Sequence, residues 1–307
     1  MTEKEYALFL GCMVPNRLPH LEYSFRRVVN HLDSENLIHD IEGFGCCPEP
    51  IGFPGMDNMT WLTLATRNLT VAEEQNMDIM TLCTGCFESL KTASVKLKHE
   101  PKLMEKVNKH LGKVGREYKG TVEVKHISQF FYEDIGLDKL KRNVVKKLDN
   151  IKVAAHYGCH LLRPSEILAF DDPHNPTKFD ELIEATGATS VMYLRRDYCC
   201  GAGTKSLDGN VAAEMVMEKL RQVARVGADC MSVLCPFCFL QFDLGQEMAS
   251  KAFKDSYDVP YQIPVLYYPQ LLGLSFGIDP KEFDFKRHRI KVKPLLEKID
   301  AVAVPAI

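Results

Sequence analysis

The sequence predicts an α/β protein of two pseudo-symmetric Rossmann-like domains, each with a small, mainly parallel sheet flanked by helices. Three observations predict it. Short β-rich runs alternate with helical patterns, as in parallel strands joined by helical crossovers. One cysteine pattern occurs twice in the same order. The chain has 307 residues, 46% hydrophobic and 26% charged, which is enough for two separate cores in a soluble protein.

The strands are expected at residues 6–10, 78–82, 122–127, 152–155, 230–234 and 264–268, each bounded by turn residues or helical patterns. Helices are expected at 18–32, 60–75, 87–98, 101–111, 179–186, 209–226 and 239–250. The charged stretch 96–119 reads as an exposed helical insertion in the first half. These elements divide into domains of residues 1–149 and 150–307.

A net charge of −3 does not favour nucleic acid or an anionic membrane, and no basic groove with interleaved aromatics is present. The apolar run at residues 6–10 is too short for a signal peptide, and no stretch is long enough to span a bilayer. The expected location is the cytoplasm. Eleven cysteines in such a chain point to metal ligation or catalysis rather than disulfides.

Ten of the eleven form two sets: Cys12, Cys46, Cys47, Cys83, Cys86, and Cys159, Cys199, Cys200, Cys235, Cys238. The spacings are C-x33-CC-x35-C-x2-C and C-x39-CC-x34-C-x2-C. Flanking segments repeat too: Phe9-Leu10-Gly11-Cys12 matches His156-Tyr157-Gly158-Cys159, and residues 124–131 match 265–272. Cys12, Cys83, Cys159 and Cys235 each follow an expected strand, where the carboxyl edge of a parallel sheet gathers ligands. The C-x2-C pairs open helices, whose N-termini favour thiolates. Adjacent cysteines diverge and suit two metal atoms of one cluster, and five thiolates exceed the four that one zinc ion takes. They also exceed the four of a cubane [4Fe–4S] cluster, which points to a polynuclear cluster of another form. Structural zinc with a spare cysteine is the rival reading. Cys230 has no counterpart and reads as a core thiol.

A lone cysteine, a Cys-Cys pair and a closing C-x2-C resemble the CCG (cysteine-rich) domain family. Two copies and nothing else are most similar to the B subunits of heterodisulfide reductases of methanogenic archaea. That resemblance implies two noncubane [4Fe–4S] clusters held by the ten cysteines. It implies a catalytic subunit that reduces the mixed disulfide of coenzyme M and coenzyme B to two thiols in methanogenesis, with the disulfide between the clusters. It also implies partners: the ferredoxin-like C subunit, the flavin-containing A subunit, and a hydrogenase or formate dehydrogenase beyond them. Alternatives are an electron-relay iron–sulfur subunit of a glycolate, lactate or glycerol-3-phosphate oxidoreductase or of thiol:fumarate reductase, and a zinc-stabilised binding module. One departure is visible: Gly201 follows the second Cys-Cys pair, but Pro48 follows the first.

The chain lacks a ferredoxin-type cysteine run and a G-x-G-x-x-G after a strand, so electrons must arrive from a partner. Cys47, Cys200 and His160 are the candidate catalytic residues, with His160 as proton donor beside a ligand. His156 reads as a packed residue with a hydrogen bond. Arg17, Arg163, Arg195 and Lys205 lie near the ligands in sequence and are candidates for binding an anionic substrate. Phe237, Phe239 and Phe242 are expected to shield a cluster or fill the core.

Overall fold

Among the described residues, eight short strands form two separate four-stranded sheets, all of whose pairings are parallel. The computed structural model describes residues 4–257 and 260–301. The first sheet contains β1 (Tyr6–Phe9), β2 (Ile38–His39), β3 (Asp78–Thr81) and β4 (Val124–His126) in the order β2-β1-β3-β4. The second contains β5 (Lys152–His156), β6 (Thr189–Ser190), β7 (Cys230–Val233) and β8 (Val265–Tyr267) in the order β6-β5-β7-β8. The central strands β1 and β7 are buried along their whole length, because helices cover both faces.

The halves correspond element by element. Asp57 caps the helix Asn58–Glu73 by accepting from Thr60 N, and Asp208 caps Gly209–Arg225 by accepting from Asn210 N and Val211 N. Gln129 and Gln270 each return a side-chain oxygen to the last strand residue before their helix, His126 N at 3.1 Å and Tyr267 N at 3.0 Å. Those two strand ends then reach across the molecule. The His126 ring Nε2 lies 3.1 Å from the Leu234 carbonyl, and Tyr267 donates its hydroxyl to the Leu82 carbonyl at 2.6 Å. Leu234 and Leu82 immediately precede Cys235 and Cys83. Each half therefore holds the C-x2-C loop of the other.

All six expected strands are present, with β2 and β6 as additions at equivalent edges. Two residues each, they leave no alternation to detect. Helices at Leu137–Arg142, Tyr268–Ser275 and Lys293–Ala301 are also additional. The stretch 96–119 is not a purely exposed insertion. The helix Pro101–Leu111 buries Val107 and Leu111, and Tyr118 is buried with its hydroxyl on Ser94 at 3.0 Å, so only the charged face is in solvent. In the C-terminal segment, Ile290, Val292, Leu295 and Ile299 are buried, so it closes the second core. Cys230 is a fully buried thiol on β7, as its sequence position suggested.

Candidate metal centre

The ten paired cysteines meet at the carboxyl ends of the two sheets. Cys12 and Cys159 follow β1 and β5 after a Gly11 and Gly158 in left-handed or equivalent positive-φ conformation (φ +65° and +81°). Cys83 and Cys235 cap the helices Thr84–His99 and Pro236–Ala252 with nearly identical extended backbones (φ −132°, ψ 129° and φ −129°, ψ 130°). Cys86 and Cys238 then stand in the first turn of those helices, where free N–H groups and the helix dipole stabilise negative sulfur. The Cys-Cys pairs lie on loops tied to a helix behind them. Asn68 accepts from Gly45 N at 2.8 Å and donates to the Cys46 carbonyl at 2.8 Å. At the equivalent position Lys219 donates to the carbonyls of Arg195, Arg196 (3.4 Å) and Tyr198 (2.9 Å).

All ten of these cysteines line one cavity of ≈ 420 Å³ between the halves. The two sets touch within it: Cys83 Sγ and Cys235 Sγ are 3.8 Å apart. Within the second set, Cys238 Sγ lies 3.5 Å from Cys200 Sγ. Ile51, Leu207 and Phe237 add apolar wall, and each is partly exposed at the rim. His160 also lines the cavity, its Nδ1 2.5 Å from Glu88 Oε2 of the first half. Burial disfavours charge on that ring, but the Glu88 carboxylate and the thiols nearby outweigh it and raise the His160 pKa.

The donor set fits a polynuclear metal group. Hydrogen bonds from Cys46 and Cys86 push the Cys47 thiol down to about 4, while Cys46 and Cys86 are pushed up, chiefly because they keep their protons to donate to Cys47. The second set repeats the conflict: Cys199 is lowered by Cys159 and Cys200, which are raised in turn. Thiols this close cannot all ionise by themselves. A cation bound among them removes the conflict by holding each sulfur as thiolate. His156 adds an unusual group. It is buried, neither ring nitrogen has a partner among the described residues, and its ligand atom lies within 4.8 Å of those of Cys200 and Cys238. The packing expected of it is present, with the Phe242 ring 4.8 Å away, but the expected hydrogen bond is not.

Comparison with known proteins agrees with this arrangement. The profile of the cysteine-rich domain, CCG, matches residues 6–91 and 153–243, more than half of the chain. The chain belongs to the CCG family. It is 43% identical over 295 residues to the B subunit of a ferredoxin/F420H2-dependent CoB–CoM heterodisulfide reductase of Methanosarcina acetivorans, covering 95% of this chain and 96% of that one. It is 41% identical, with the same coverage, to the B subunit of a ferredoxin:CoB–CoM heterodisulfide reductase of Methanosarcina mazei. It is also 32% identical to the membrane anchor subunit of the 8-methylmenaquinol:fumarate reductase of Wolinella succinogenes, covering 95% and 99%. Among solved structures, a hypothetical protein of Helicobacter pylori shares the fold with a TM-score of 0.71 at 15% identity, over 94% of this chain and 52% of that one.

In this CCG protein the four basic candidates stand outside the cavity lining. Arg17 is exposed at the end of the helix Met13–Arg17. Arg163 is held by Asp197 at 2.9 Å and by the Pro173 carbonyl at 2.7 Å. Arg195 lines a neighbouring surface cavity that shares Cys199 with the cysteine cavity, and it pairs with Glu218 at 3.6 Å. Lys205 is exposed, yet Gly203 and Ser206 on either side of it line the cysteine cavity, which puts Lys205 at its rim. The three phenylalanines divide. Phe237 lines the cavity, whereas Phe239 packs on His20 and His288 in the core and Phe242 on His156. Sequence reasoning missed Asn68, Lys219 and Glu88. The first two were within reach, because the paired caps Asp57 and Asp208 align the helices that carry them. Glu88 was not, because its partner belongs to the other half. Among the described residues no helix is long and apolar enough to cross a membrane.

Proposed function

We propose that this chain is the disulfide-reducing B subunit of a heterodisulfide reductase, with a noncubane [4Fe–4S] cluster in each cysteine set and the disulfide bound between them. The observation that carries this reading is that the two cysteine sets, one from each half, face each other in one site, with Cys83 Sγ and Cys235 Sγ 3.8 Å apart. Two centres held face to face could each serve one sulfur of a disulfide bound between them, which a relay along a wire does not need.

Cys12, Cys46, Cys47, Cys83 and Cys86 would hold one cluster, and Cys159, Cys199, Cys200, Cys235 and Cys238 the other, Cys47 and Cys200 lying on the inner wall. The clusters when bound supply one electron each to the two sulfurs. The protein residues do the rest. Ile51, Leu207 and Phe237 exclude water and offer apolar surface to the substrate chain. His160, oriented by Glu88 through Nδ1, carries a proton that its other nitrogen can give to a new thiolate. Lys205 at the rim suits an anionic end group of the substrate. Breaking the S–S bond consumes two electrons and two protons and yields two thiols. The reading assigns the coenzyme M–coenzyme B disulfide of methanogenesis as substrate, with the ferredoxin-like C subunit and the flavin-containing A subunit of the complex as donors.

A second reading, an electron-relay role, is favoured by the similarity to the fumarate reductase subunit. Thiol release from the mixed disulfide by the anaerobically purified complex separates the two. Cys200→Ser should abolish thiol release while the first site keeps its iron. Full activity after loss of either cysteine set would refute the two-cluster reading, and zinc without sulfide would refute the clusters altogether.

A further inference from the structure

Because the halves correspond residue by residue, the surroundings of the two cysteine sets can be compared in pairs. His156 ends β5 where Phe9 ends β1. One of its ring nitrogens, which have no partner among the described residues, lies within 4.8 Å of the Cys200 and Cys238 sulfurs, whereas Phe9 has no polar atom to offer and packs on Phe44 at 5.0 Å. Gly201 donates its N–H to Cys199 Sγ at 3.3 Å, and Pro48, in the same place, has no N–H. Lastly, Lys219 occupies the position of Asn68. It is 3% exposed and donates to three carbonyls, which requires the charged ammonium. Its charge acts on Cys199, Cys200 and Cys238.

These three differences place donors or positive charge at the second set. Reduction of a cluster adds negative charge, so hydrogen bonds to sulfur and nearby cations favour the reduced form. Resting on the cluster reading above, we propose that the C-terminal cluster has the higher reduction potential and accepts the first electron, with His156 and Lys219 as the positioning residues that set the difference. Solvent exposure acts the other way, since Cys12 and Cys46 are exposed while Cys159 and Cys199 are half-buried. His156 and Lys219 are themselves buried, at 1% and 3% exposure, so their effect on the second set is little screened by solvent.

The test is a potentiometric titration of anaerobically purified holoprotein with dithionite, followed by visible absorbance and electron paramagnetic resonance, one electron entering each cluster as the reductant is oxidised. Two waves are expected. Cys200→Ser, which leaves only the first site, should retain the more negative one. His156→Phe and Lys219→Met should each move the higher wave to more negative potential, with the lower wave and the iron content unchanged. Lys219→Arg should restore the midpoint. Should Lys219→Met lose iron, His156→Phe decides, and Pro48→Gly provides a gain: it should raise the lower wave. Retention of the more positive wave by Cys200→Ser, or unmoved midpoints in His156→Phe, overturns the inference and leaves the clusters standing. A wild-type protein with zinc, no sulfide and no wave overturns the cluster reading itself.

Discussion

Tyr267→Phe removes one oxygen from the second half and should weaken the first half's site. The hydroxyl donates to the Leu82 carbonyl at 2.6 Å, and the Tyr267 side chain is fully buried. The ring stays, so no cavity opens. What remains is a buried carbonyl that has lost this partner, which costs about 1–3 kcal/mol. Leu82 precedes Cys83, so the loosened segment is the C-x2-C loop of the first set. The assay is anaerobic urea unfolding, followed by Trp61 fluorescence, together with iron and sulfide per chain. In a Cys200→Ser background, where only the first site can fill, Tyr267→Phe should lower stability by about 1–3 kcal/mol and reduce bound iron. In a Cys47→Ser background, which leaves only the second site, it should lower stability but spare the iron. Equal iron loss in both backgrounds, or no change of stability, would refute the reciprocal clasp.

Three further outcomes follow from the geometry. A Cβ on Gly11 would meet Cys86 Sγ at 2.7 Å in a positive-φ backbone, whereas one on Gly158 would meet Thr84 Oγ1 at 3.3 Å. Gly11→Ala should therefore lose more iron than Gly158→Ala, beyond the roughly 1–2 kcal/mol of backbone strain common to both. Glu88→Gln should leave iron content unchanged and slow thiol release about 10–100-fold, because His160 loses the carboxylate that orients it; an unchanged rate would remove His160 from the mechanism. Acid should weaken the contact between the halves through His20 and His288, whose rings are 5.4 Å apart. Burial lowers His20 to about 4, with Arg287 lowering it further and Asp284 opposing, and burial lowers His288 to about 3, helped by His20. Both are neutral in the fold, so their contribution is full above about 6.5 and is lost as pH falls below it; by pH 5.5 the pair should cost roughly 3 kcal/mol. Urea midpoints at pH 7.5 and 5.5 measure this, with His20→Phe/His288→Leu expected to shrink the difference by that amount.

The parts legible in the sequence were those that repeat or that have a period. Six strands were found because each is an apolar run of ordinary length, and the ten cysteines because duplication makes chance placement untenable. The edge strands β2 and β6 were not, since two residues carry no pattern. What places the cysteine sets together is not written in either copy alone. Tyr267 and His126 look like strand-end residues of their own domains, and only the assembled chain shows that each reaches the other domain's loop. The same holds for Glu88 and His160, which are 72 positions apart. The basic residues show how little sequence proximity says about direction: side chains on a loop diverge, so Arg163 turns to Asp197 while Arg195 lines a cavity that includes Cys199. Duplication therefore announces the two sites, while the departures from it, such as Phe9 and His156 or Asn68 and Lys219, carry the information about what each site does. A perfectly repeated chain would have two equivalent clusters and no preferred direction for an electron; this chain breaks its symmetry at the residues nearest the sulfur.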